Sequence, residues 1–220
     1  MTRELLDWGR GSGADGVAAM TVFHLVRHGE AAVSGRVNGR TSGIGLSERG
    51  RAEIALVADR LAGEEIAALY ASPLQRTRET AEILSARLDQ PVGYREDLIE
   101  LDFGEWTGLT FDQVRADPRW IVWQSCRSIA AIPGGESMRQ VQERVVGALF
   151  DLHRSHPEGG VAIVSHGDVI RAALLFALGM PLDLYARLEI GLASLSTIRI
   201  GDSGIRVPAV NERARLAAPS

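Results

Sequence analysis

The chain has 220 residues, with 24 basic side chains against 28 acidic ones for a formal charge of −4, and every basic residue is arginine. The absence of lysine excludes Schiff-base enzymes of the pyridoxal or aldolase kind, and it excludes the Gly-Lys-Ser/Thr phosphate loop of P-loop NTPases. Arginine fills neither role, because it stays protonated, but its planar fork of donors suits carboxylates and phosphates.

Residues 1–20 read as a loose leader rich in Gly and Ala, and a chain starting at Met20 would be more compact. Short β-branched runs then alternate with helical patterns. Val22 to Val26 reads as a buried strand. Leu46 to Leu61 reads as a helix with Ser47 as N-cap. Ile66 to Ala71 is a second strand, and Ser72-Pro73-Leu74-Gln75 is expected to open a helix reaching Leu88, through a capping box from Ser72 to Gln75 and proline at the first helical position. Val92 to Arg95 is a short strand, and Thr110 to Asp117 a short helix before Pro118.

A longer helix is expected from Ser137 to His153, since Met138, Val141, Val145, Leu149 and Leu152 fall on one face. Val161 to Val164 is another buried strand, followed by an apolar helix from Asp168 to Leu178 that Gly179 and Pro181 end. Ser194 to Ile200 and Ile205 to Val207 close the chain as a hairpin across Gly201 to Gly204, with residues 211–220 as a tail. Continuous apolar strands alternating with helices indicate one α/β domain over residues 21–210, a three-layer sandwich with a mainly parallel sheet and helices on both faces.

The slightly acidic balance gives no sign of a nucleic-acid surface. Apolar stretches such as Ala172 to Leu178 fall far short of the roughly 20 residues that span a bilayer. The single cysteine, Cys126, allows no internal disulfide and no cysteine zinc site, which fits a reducing cytoplasm. An exposed strand near the C-terminus is available to pair subunits in a homodimer.

The polar residues that stand out share one place in this pattern. Arg27-His28 follows the first strand, Ser72 to Arg76 the second, Glu100 lies just beyond the third, and Ser165-His166-Gly167-Asp168 follows the fourth. Open α/β sheets bind ligands beyond the carboxyl ends of their strands, so these segments are expected to converge. Two arginines, two histidines and a carboxylate together suit phosphoryl transfer. Arginines clamp a phosphate dianion, a neutral histidine attacks phosphorus, and a carboxylic acid protonates the leaving alkoxide. The arginines supply the positive charge, so this chemistry needs no metal. Nearby cations should depress the carboxylate's pKa, so it must be partly desolvated, or rely on the substrate's own negative charge, to remain an acid. His153 and His156 offer a metal reading, against which a solvated helix end before Pro157 is the plainer one. Trp106, Trp120 and Trp123 suit either a substrate wall or core packing. Glu136 reads as a helix-start residue.

At these residues the chain resembles the histidine phosphatase superfamily, the phosphoglycerate-mutase-like proteins. The matching stretches are LVRHGE from Leu25, GLSERGRAE from Gly45, SPLQRTRETA from Ser72, ELDFGEWTG from Glu100, PGGES from Pro133 and VSHGDVIRAAL from Val164. The resemblance implies that His28 is the nucleophile, that Arg27, Arg76 and His166 bind the phosphoryl group, and that Glu100 is the proton donor, with Glu96, Asp97, Asp102 and Glu105 as its competitors. It implies a cofactor-free phosphatase acting on a small phosphorylated metabolite. The basic, proline-rich insertion of the mutases is missing between Gly108 and Gly134, and the PGGES stretch is similar to small phosphatases of the α-ribazole phosphatase type. The alternatives are a mutase and a non-catalytic phospho-ligand binding module. One departure is that Ser34 stands where the family commonly has a phosphate-contacting asparagine. Asn38 or Arg40, in a lengthened loop, is the expected substitute, with Gly167 also at the pocket.

Overall fold

The computed structural model describes residues 20–213. The expected leader and tail therefore lie outside the described residues, except at their inner boundaries, where both Met20 and residues 211–213 belong to strands.

Among the described residues six strands form one sheet: β1 (Met20–Arg27), β2 (Ile66–Ala71), β3 (Val92–Tyr94), β4 (Gly159–Ser165), β5 (Ser194–Gly201) and β6 (Gly204–Arg213), in the order β3-β2-β4-β1-β5-β6. The first four strands in that order run parallel, and β5 and β6 add an antiparallel hairpin beyond β1. Pro208 lies in β6, at the sheet edge, where its missing N–H leaves no gap in a ladder.

Helices cover both faces, which is why β1 and β4 are buried along nearly their whole length. On one face, α1 (Glu48–Leu61) and α2 (Gln75–Leu88) pack Ile54, Leu61 and Leu84 against Val26, Leu69 and Val164. On the other, α5 (Met138–Ser155) and α6 (Gly167–Ala177) pack Val145, Leu149 and Leu174 against Phe23, Leu25 and Ile163. Alternate residues of one strand thus feed two cores, as the pleat requires. The result is an α/β three-layer sandwich.

Local sequence explains most element ends. Ser47 caps α1 by accepting from Gly50 N, and Ser137 and Gln140 make a reciprocal capping box at α5. Two expectations need correction. Helix α2 starts at Gln75 with Leu74 as N-cap and no side-chain cap bond, because the Ser72 hydroxyl is engaged elsewhere, as described below. Pro118 begins a second short helix in addition to ending the first: α3 (Phe111–Ala116) is followed at once by α4 (Pro118–Ser125), whose N-cap Asp117 accepts from Arg119 N. Proline suits a first helical turn because the missing N–H has no partner there anyway.

Candidate active site

The carboxyl ends of β1, β2 and β4 deliver the chemistry-bearing residues to one edge of the sheet, with Glu100 following β3. The register puts Arg27 beside Ser165 and Ala71 beside Val164, so the residues after each strand end leave the sheet at one level. His28 N then donates to Ser165 O, and Ser72 N to Val164 O. A cavity of about 460 Å³ opens above this edge, lined at its inner end by Arg27, His28, Arg76 and Glu100.

His28 is held in one tautomer. Its Nδ1 lies 2.8 Å from Gly29 O, and a carbonyl can only accept, so Nδ1 carries the proton and Nε2 keeps a lone pair. Arg76 Nε donates to that Nε2 at 3.3 Å. Burial first, then the Arg76 and Arg27 charges, hold the His28 pKa well below the ordinary histidine value, so the ring is neutral at neutral pH.

His166 lies behind this layer, fully buried, with its ring centroid 5.2 Å from that of His28. Arg76 Nη2 donates to His166 Nδ1 at 3.2 Å, which leaves the His166 proton on Nε2, facing Ser72 Oγ at 2.7 Å. Ser72 is therefore an orienting partner of His166, a role that its cap-like position hid. The strand order held the clue, since β2 and β4 are neighbours and their ends meet. Burial also depresses the His166 pKa strongly.

Two guanidiniums carry spare donors. Arg27 Nη1 donates to Ile190 O at 2.5 Å and Arg76 Nη2 to Gly39 O at 2.8 Å. Arg27 Nε and Arg76 Nη1 are buried without a hydrogen-bond partner. Unmet buried donors are costly, and an anion in the cavity would satisfy them. Gly167 permits this crowding, since a Cβ there would come within 3.1 Å of the Arg27 guanidinium carbon. Gly39 presents its carbonyl to Arg76 from the left-handed region, at φ +47°, which favours glycine.

Glu100 is buried, and its pKa is pushed up to about 7. Burial is the largest cause and the Asp168 charge the next; Arg76, the Leu101 N–H bond and Arg27 pull the other way. Desolvation thus outweighs the cations expected to depress it. Glu100 Oε1 accepts from Leu101 N at 2.9 Å, while Oε2 sits 3.8 Å from His166 Nδ1, which makes Oε2 the oxygen free to hold a proton. Among its competitors, Asp97 pairs with Arg95, Glu105 with Arg119, and Asp102 Oδ1 accepts from Gly104 N.

The lengthened loop divides the expected substitutes. Ser34 and Asn38 both line the cavity; Asn38 Nδ2 donates to Val33 O, and its Oδ1 is buried without a partner. Arg40 does not line it. Its Nε donates to Glu100 O at 2.8 Å and its Nη2 to Glu136 Oε2 at 2.8 Å. Glu136 also pairs with Arg144 and accepts from Asp102 N, so it ties the Glu100 segment to α5 and does more than start a helix. Arg40 is drawn out of the cavity because Glu136 is its partner, a pairing 96 residues apart that no local pattern announces.

The outer wall comes from the segment between Glu100 and α5. Trp106, Trp120 and Trp123 pack on one another, with Trp106 and Trp123 fully buried, and Trp120 and Trp123 also face the cavity, so both readings of these rings apply. Arg127 lies between the rings of Trp123 and Tyr185, 3.6 Å from each centroid. His153 and His156 point elsewhere and bond Thr21 Oγ1 and the Tyr70 hydroxyl. Among the described residues no helix is long and apolar enough to cross a membrane.

A mostly parallel α/β sheet with paired arginines and histidines at its carboxyl edge is an arrangement suited to binding a phosphate. The family model of the histidine phosphatase superfamily (branch 1) matches residues 23–213, and the chain belongs to that superfamily. It is 32% identical over 186 residues to phosphoserine phosphatase 1 of Hydrogenobacter thermophilus, covering 82% of this chain and 87% of that protein. It is 36% identical over 194 residues to a bifunctional protein of Mycobacterium tuberculosis, where the match takes 83% of this chain but only 52% of the relative, so the chain spans about half the length of that protein. The solved mycobacterial glucosyl-3-phosphoglycerate phosphatase superposes with a TM-score of 0.79 at 26% identity, covering 87% of this chain and 99% of that one.

Proposed function

We propose that the chain is a metal-independent phosphatase that hydrolyses small phosphomonoesters through a phosphohistidine. The observation that carries the reading is the pairing of a neutral, tautomer-fixed His28 with a carboxyl group whose pKa stands near 7. Phosphate binding alone needs neither. The relatives named phosphoserine phosphatase and glucosyl-3-phosphoglycerate phosphatase support a small phosphorylated metabolite as substrate.

In the first step His28 Nε2 attacks phosphorus and the bond to the ester oxygen breaks. Glu100 Oε2 gives its proton to the leaving oxygen, so that an alcohol departs. In the second step the Glu100 carboxylate takes a proton from water, water oxygen attacks phosphorus, and the P–N bond breaks to release phosphate and neutral His28. Arg27 Nε and Arg76 Nη1 bind phosphoryl oxygens in both steps, and His166, oriented by Ser72, accepts from Arg76 and holds that guanidinium in place. Hydrolysis of phenyl phosphate and its aliphatic counterparts by wild type and His28→Ala tests the reading. Loss of turnover in the variant is expected, and turnover that survives would refute it.

A further inference from the structure

The cavity holds more cationic donors than one phosphoryl group can use. Beyond Arg27 and Arg76, Arg127 and Arg171 also line it. Arg127 is only 3% exposed, its guanidinium's single hydrogen bond runs to Gln124 Oε1, and its Nε and Nη1 are buried without partners. Both flat faces of that guanidinium are covered by Trp123 and Tyr185, so it can donate only in its own plane. Arg171 stacks on Tyr185 as well, at 4.0 Å, and its Nε is also unpartnered. Among the described residues the carboxylate that acts on both is Asp168, 3.8 Å from Arg171 Nη1, with Glu100 a weaker influence on Arg171. Asp168 acts electrostatically on Arg27, Arg127, Arg171 and Glu100 together, so it stands between the two ends of a single cavity and cannot neutralise every guanidinium around it. A buried cation with free donors and no full counter-charge calls for an anionic ligand.

We propose that the outer part of the cavity is a second oxyanion subsite, anchored by Arg127 with Arg171 beside it, and that the preferred substrates are phosphomonoesters whose leaving alcohol carries its own carboxylate or phosphate. This rests on the phosphatase reading and narrows its substrate class. The stacked rings fix the guanidinium before the ligand arrives, so little side-chain entropy is lost on binding. A stack that served packing alone would leave the free donors unexplained.

Calorimetry on His28→Ala protein reads the subsite without turnover. The probes are phosphoglycolate, 3-phosphooxypropionate and 4-phosphooxybutyrate, each against the ester with hydroxymethyl in place of carboxylate, and the corresponding bisphosphates. At one chain length or more the second anion should tighten binding on the order of 10- to 100-fold, and carboxylate against bisphosphate shows which oxyanion fits. In His28→Ala/Arg127→Met the preference should fall to within about 2-fold, since the charge-assisted bonds are gone. Equal binding of charged and uncharged partners at every length would overturn the subsite, and a preference that outlives Arg127→Met would overturn the role of Arg127. Should that variant lose its circular dichroism spectrum, Arg127→Lys, which keeps the charge without the stacked fork, should still weaken the preference by about 5-fold or more; an undiminished preference contradicts the assignment. Wild-type turnover separates the two readings. Hydrolysis of the uncharged esters with no anion preference discards the subsite alone, and anion-selective binding with no turnover of any ester discards the phosphatase alone.

Discussion

The two ends of the cavity are built in different ways. The inner end is a product of the sheet: His28, Ser72 and His166 are the residues that follow parallel strands, and the strand register sets their spacing. The outer end is a product of packing. Two short helices and irregular chain lean on a cluster of tryptophans and carry Arg127 into place. Positions fixed by a hydrogen-bonded ladder suit reacting groups, which need close tolerances. Positions fixed by side-chain packing can be rebuilt without disturbing the ladder, which suits selection among substrates.

That contrast orders the expected effects. His28→Ala should lower kcat on the order of 10⁴-fold or more, because no other group can take the nucleophile's part. Glu100→Gln should lower kcat/KM, which reports the first step, by about 10²- to 10⁴-fold for alkyl esters, and much less for p-nitrophenyl phosphate, whose leaving oxygen needs no proton. A uniform loss across leaving groups would break the assignment of Glu100 as acid.

Glu100 also sets a pH dependence. Its folded pKa of about 7 lies above the unfolded value of 4.5, so its contribution favours folding below pH 4.5 and is lost as pH rises toward 7. Glu100→Gln should therefore raise Tm relative to wild type more at pH 8 than at pH 4.5, and differential scanning calorimetry at both values checks the sign. In activity, the protonated acid of the first step should disappear on the same rise. His28 and His166 have depressed folded pKa values, so their contribution to stability is present above pH 6.5 and is lost as pH falls below it.

Smaller effects come from the supports. Glu136→Ala strips Arg40 and Arg144 of their shared carboxylate and loosens the Glu100 segment. It should cost about 2–3 kcal/mol of stability in urea unfolding, as expected for a partly buried ion-pair network. Phe111 lines the outer cavity while 45% exposed, so Phe111→Ala should raise KM by about 3- to 10-fold with kcat nearly unchanged. A kcat loss as deep as that of the inner residues would erase the distinction between the two ends.

The same contrast explains what was legible in the sequence. Apolar runs and caps located β1, β2, β4 and helices α1, α5 and α6 to within a few residues, because buried strands and helices with one apolar face leave strong patterns. Convergence of Arg27, His28, Arg76, Glu100 and His166 followed from strand ends alone. Other assignments needed partners distant in sequence. Ser72 has the local pattern of a cap, but its hydroxyl is taken by a histidine 94 residues away. Arg40 has the pattern of a phosphate ligand, yet Glu136 claims it. Arg127 sits in no periodic segment, so nothing local marks it as buried.

The central claim is the covalent intermediate, and trapping it tests that claim most directly. Glu100→Gln protein mixed with ³²P-labelled p-nitrophenyl phosphate, whose leaving group needs no acid, and quenched in alkali should carry an acid-labile, alkali-stable label that peptide mapping places on His28, and His28→Ala should carry none. A label on any other residue, or rapid release of phosphate by wild type with no label at His28 at any quench time, would contradict the account.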